Sequence, residues 1–135
     1  MIQHGLRGLE FDWLAVDAIG HVGWFWTAGG GNAPTDVVAR IEGHAAAIDA
    51  IAKIAPTTRP VERLGEGELS QAGARGVFVF DSSFHADPYQ RMVTPVVPAL
   101  ITDLPASLAI ARRVRIRGDF RELAKIPQQL IDELG

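Results

Sequence analysis

Apolar and polar positions alternate over several short stretches of the chain and recur at helical spacing over one. Residues 11–17 (FDWLAVD) set Phe11, Trp13 and Ala15 against Asp12, Leu14 and Val16, and their aromatic and β-branched content predicts a strand. Residues 21–28 (HVGWFWTA) predict a second strand. Between them, residues 17–20 (DAIG) read as a type I turn closed by a glycine that can take positive φ, so the two strands form an antiparallel hairpin. Large apolar groups occupy both faces of each strand, a pattern that calls for cover on both sides.

Beyond the hairpin, Pro34 and Thr35 suit a helix start, with Thr35 as N-cap and Asp36 complementing the helix dipole. Val37, Val38, Ile41, Ala45, Ile48, Ala52 and Ala55 then recur every three or four positions, which predicts one amphipathic helix of about five turns ended by Pro56. Residues 57–75 read as a long surface connection with a helical turn near 67–72. Residues 76–81 (GVFVFD) predict an internal third strand. Residues 89–97 (YQRMVTPVV) predict a fourth, whose second half is demoted to an edge or irregular segment by Pro95 and Pro98. A shorter helix capped by Asp103 through Ala111, an alternating strand at 114–118 (VRIRG) and a short helix at 127–134 complete the chain. The expected architecture is a single α+β domain over residues 1–135. It has an antiparallel sheet of about four to six strands, one long helix packed on it, and short C-terminal helices.

Composition narrows the chemistry. At 135 residues, 47% hydrophobic and 21% charged, the chain falls in the ordinary globular range. The absence of cysteine removes disulfides, thiolate nucleophiles and cysteine-based zinc sites. Thirteen basic against 16 acidic residues, a net charge of −3, argue against nucleic-acid binding as the main role. The charge is divided: residues 1–58 carry six acids and three bases, residues 59–135 ten of each. Residues 1–10 show no apolar leader and no run is long enough to span a bilayer, so a cytoplasmic protein without membrane insertion is expected.

Four features invite a functional reading. The Gly-rich stretch TAGGGNAPTD suggests an anion site at a helix start. It lacks the Lys-Ser/Thr pair of a P-loop and the G-x-G-x-x-G of a dinucleotide fold, so no cofactor is expected. Asp81, His85 and Asp87 share one loop with Ser82 and Ser83, residue types that can hold a divalent ion or form a nucleophile with its base; neither pattern is complete, and a solvated loop is favoured with no metal expected. Trp13, Trp24, Phe25 and Trp26 form an aromatic cluster that is core unless one face is open. An exposed Trp26 beside acids such as Asp12 would suit a protein partner. Arg113, Arg115 and Arg117, spaced about 7 Å apart along one side of a strand, can meet phosphates or a carboxylate-rich surface, although protection of an edge strand is the favoured explanation.

The run FDWLAVDAIGHVGWFWTAGGG, followed by GVFVFD and by YQRMVTPVVPALITDLP, resembles a group of small bacterial proteins with the same order of motifs. Proteins of this kind look like the immunity proteins that accompany polymorphic or contact-dependent toxins. The resemblance implies a non-enzymatic binding protein that neutralises a cognate toxin by covering its surface, and it carries over no site residues. Two other classes stay open: a small hydrolase or metal-dependent enzyme centred on the loop of Asp81 and His85, and a structural or regulatory subunit of a homodimer.

Overall fold

A computed structural model of the chain describes residues 11–27, 33–56, 67–82 and 88–133. The predicted hairpin is present. Strands β1 (Asp12–Asp17) and β2 (Val22–Trp26) pair antiparallel with Trp13 opposite Phe25 and Leu14 opposite Trp24. The turn closes as its residue types require: Gly20 has φ 109°, and its N–H reaches the Asp17 carbonyl at 3.2 Å.

The sheet around this hairpin differs from the expected one. It has seven strands, adding β3 (Phe78–Asp81), β4 (Tyr89–Val93), β5 (Val114–Ile116), β6 (Lys125–Ile126) and β7 (Ile131–Glu133), in the order β6-β4-β3-β2-β1-β5-β7. It is mixed, because β2 pairs parallel with β3 and β1 parallel with β5. A parallel neighbour needs a crossover, and the helical segments between β2 and β3 and between β4 and β5 supply it. The irregular end expected of β4 is confirmed: the strand stops at Val93, ahead of Pro95.

No single long helix covers the sheet. The expected five-turn helix is broken at Arg40 (φ −131°, ψ 32°) into α1 (Thr35–Ala39) and α2 (Ile41–Ile51), and Pro34, not Thr35, stands at the cap. Asp36 on α1 is held by the guanidinium of Arg113 at 2.8 Å, so α1 is tied to the strand-ward end of a 3-10 segment, Ala106–Arg113, while α2 turns to lie along β1. The break also changes the buried face. Ala45 and Ala52 are exposed, whereas His44, Ala47 and Ile51 point inward. A third helix, α3, runs over Gly67–Ala74. The expected helix from Asp103 is 3-10 in form, with Pro105 at its cap, and the expected helix at 127–134 is a single 3-10 turn followed by β7.

Both sheet faces are covered, each in a different way. On one face Leu14, Val16, Val22, Trp24 and Val79 pack against Ala47 and Ile51 of α2, Ala72 of α3, and Ile101, Leu108 and Ala111. On the other, Trp13, Phe25, Phe80, Tyr89, Ile116 and Ile126 meet in one cluster around Phe120. These residues come from strands as far apart as β6 and β5, which in a flat sheet would lie about 24 Å apart. The sheet therefore curls until it nearly closes into a barrel, and the segment from β5 to β6 crosses the open side with Phe120 as its plug. The ring of Phe120 fits because Gly23 lies beneath it: a Cβ there would come within 2.9 Å of the ring. Inside, Trp13, Phe25 and Phe80 stack across three strands, with centroids 4.3 and 4.8 Å apart. Among the described residues no helix is long and apolar enough to cross a membrane.

Candidate functional site

Strand register brings together three residues that stand far apart in the sequence. Trp26 is paired with Asp12 across β1 and β2 and with Asp81 across β2 and β3. Directly paired residues share a sheet face, so Asp12, Trp26 and Asp81 form a row on the helix-covered face, two carboxylates flanking an indole. Trp26 is half-buried and packs edge-on against Trp24 at 5.4 Å.

Asp12, at one end of the row, also lines a groove of about 500 Å³ between β1, β2, α2 and α3. Trp24 and Asp12 form its sheet wall, with the Trp24 indole N–H donating to the Asp12 carboxylate at 3.0 Å. Ile48, Asp49 and the buried Ile51 come from α2, Ala52 from the cap that follows it, and Gln71 and Ala72 from α3. Arg75 fixes the two helical walls to each other. Its Nε donates to the Ile54 carbonyl at 2.8 Å and its other nitrogens donate to the carbonyls of Ala52 and Gln71 and to the Gln71 side chain. The groove thus has apolar walls, two carboxylates in its lining, and a frame held by a buttressing arginine that donates to three backbone carbonyls and to the Gln71 side chain.

A second polar cluster, Asp17, His21 and Asp119, has ligand atoms within 4.8 Å of one another and so has the make-up of a metal site. Its hydrogen bonds give it a different task. Asp17 Oδ1 accepts the N–H groups of Ile19, Gly20 and His21, and Oδ2 accepts that of Phe120 at 2.8 Å and faces His21 Nδ1 at 2.8 Å. Asp119 is ion-paired to Arg121 at 2.7 Å, and hydrogen bonds from that guanidinium bring its carboxyl down to about 2. Each oxygen of Asp17 already has its donors, so the cluster staples the β1–β2 turn to the plug segment. The spacing of Asp17 and His21, four residues apart across a turn, was the available sequence signal; the contribution of Asp119 has none.

The arginine row divides in the structure. Arg113 grips Asp36 with Nε and a terminal nitrogen and, together with Arg40, holds that carboxyl below its ordinary value. Arg117 pairs with Asp132 at 3.3 Å and donates to the Gln129 carbonyl, and Arg115 is exposed. Strand β5 lies between β1 and β7, so these arginines do not guard a sheet edge. In the Asp81 loop, Ser82 is buried and its hydroxyl donates to the Thr27 carbonyl, which takes the proton a base would need to remove. Ser83, His85 and Asp87, like the glycines of the TAGGGN stretch, lie outside the described residues.

Comparison of the chain with protein families, with curated proteins and with solved structures finds no match.

Proposed function

We propose that the protein is a non-enzymatic binding protein whose partner-facing surface is the groove lined by Asp12, Trp24 and Asp49, and that it acts as an immunity protein by covering a toxin. The reading is carried by the groove itself. It presents an indole and aliphatic side chains next to carboxylates, the mix in which a few desolvated anchors contribute most of the affinity of a protein interface. Its residues sit on β1, β2, α2 and α3, and the Arg75 contacts keep the helical walls in place before any partner arrives, which limits the ordering cost of association. Carboxylates at the rim favour a basic partner and speed its encounter. The charge division in the sequence, acidic through residues 1–58, agrees with this side being the acidic one.

The test is co-expression with the product of the neighbouring reading frame. Suppression of that product's lethality by this chain, with a stable complex on co-purification, is the expected result. Undiminished lethality with both proteins produced and folded removes the reading.

A further inference from the structure

We propose that His44 is an acid-sensitive latch: a proton taken up by its imidazole lifts α2 away from β1, parting the helical and sheet walls of the groove, while the sheet and its Phe120 plug stay folded. The fully covered side chains of α2 are His44, Ala47 and Ile51, and His44 Nδ1 accepts the Leu14 N–H at 3.0 Å, so this polar bond stands beside the apolar contacts that dock the helix on β1. A neutral imidazole can accept that N–H, whereas an imidazolium carries a donor on each nitrogen and meets the Leu14 donor head-on. His44 is fully buried, so no solvent replaces the lost acceptor until the helix moves. Of the charged groups around it, Asp36 on α1 favours the imidazolium and Arg40, at the break between α1 and α2, opposes it. Arg113, at the end of the 3-10 segment that packs on α2, is engaged by Asp36, and Asp12 on β1 accepts the Trp24 indole N–H. Burial outweighs these charges and holds the imidazole down to about 4, against 6.5 when it is uncovered. The proton therefore favours the open form. Both ends of the lifted segment stay tied, α1 through Asp36 to Arg113 and the end of α2 through Arg75 to the carbonyls of Ala52 and Ile54, with the Arg40 break as hinge. The cluster of Trp13, Phe25, Phe80 and Phe120 lies on the other sheet face and contains no α2 side chain.

The experiment is amide hydrogen exchange of the intact protein, read by NMR as protection relative to the intrinsic rate at each pH, between pH 7.5 and 5. Asp36, held low by its arginines, keeps its charge through this window. One proton bound on opening should lower protection of the Leu14 amide and of the α2 amides from His44 to Ile51 by about twentyfold across the window, while Phe25 and Phe80 keep theirs. His44→Gln, which does not titrate, should abolish the dependence. Should that variant not fold, the imidazole nitrogen shifts of the native protein decide: the Leu14 amide should follow the titration of His44 and not that of His21. A parallel fall at Phe25 and Phe80 means global unfolding and overturns the latch. Protection at Leu14 that is flat with pH, that falls equally in His44→Gln, or that follows His21 overturns it as well.

Discussion

His44 on α2 takes the place of a neighbouring strand for Leu14 on β1: its Nδ1 accepts the Leu14 backbone N–H at 3.0 Å. Strand β5 pairs with β1 only at Val16 and Asp17, so the ladder has not begun at Leu14, and the imidazole satisfies a buried donor that would otherwise be unpaired. Because Nδ1 accepts, the ring carries its proton on Nε2, and that N–H has no partner among the described residues.

A pH dependence follows from this arrangement. Burial lowers the His44 pKa from its ordinary 6.5 to about 4. The unfolded chain binds a proton as pH falls through 6.5 and the folded chain does not until about 4, so stability is complete above 6.5 and declines towards 4. The loss over that window is roughly 3 kcal/mol. Urea titrations of the native protein and of His44→Gln between pH 7 and 4 should show a shallower decline in the variant, whose amide oxygen can accept the same N–H but does not titrate.

The plug predicts a non-additive pair. Gly23→Ala places a Cβ 2.9 Å from the Phe120 ring and should cost about 1–3 kcal/mol through overpacking. Phe120→Leu, which leaves a cavity, should also destabilise. Their combination should be less damaging than the sum, because the smaller side chain leaves room for the methyl group, and a double-mutant cycle by chemical denaturation measures the coupling.

Asp17 is the keystone of two turns. Asp17→Ala strips acceptors from the N–H groups of Ile19, Gly20, His21 and Phe120 and should cost on the order of 3 kcal/mol or more, read as a fall in Tm with retained near-native far-UV circular dichroism at low temperature. Since the same oxygens are engaged by donors, zinc or manganese added to the native protein should leave Tm unchanged; a rise would show that the cluster binds metal.

Arg75 ties the end of α2 to α3. Arg75→Ala should lower stability by about 1.5–3 kcal/mol, the range for a hydrogen bond involving a charged group, and should raise amide exchange in α3 more than in β1 or β2. It should also weaken binding in the groove although Arg75 faces no proposed contact, because the two walls are no longer held together.

Much of the hairpin was legible because its determinants are local. Alternation set the two faces of Trp13 and Leu14, and the Asp17 carboxylate and the positive φ of Gly20 close a turn within four residues. The Arg40 break was not legible: no proline or glycine marks it, and it accompanies an ion pair between Asp36 and Arg113, 77 positions apart. The alanines around it misled for a related reason, since alanine suits either face of a helix and so cannot report which one is buried.

For the candidate site, Asp12, Trp26 and Asp81 could each be singled out by residue type, but their alignment depends on the register of β1, β2 and β3. Asp49 and the walls of the groove came only with the docking of α2 and α3. By itself the sequence determined the strands with strong alternation, the tight turn, and the need to cover both faces of the hairpin. These are consequences of side-chain period and turn chemistry acting over a few residues. Tertiary structure alone decided the parallel pairings, the curl closed by Phe120, and the groove, because each depends on which distant apolar surfaces bury one another, and that is settled by the chain as a whole.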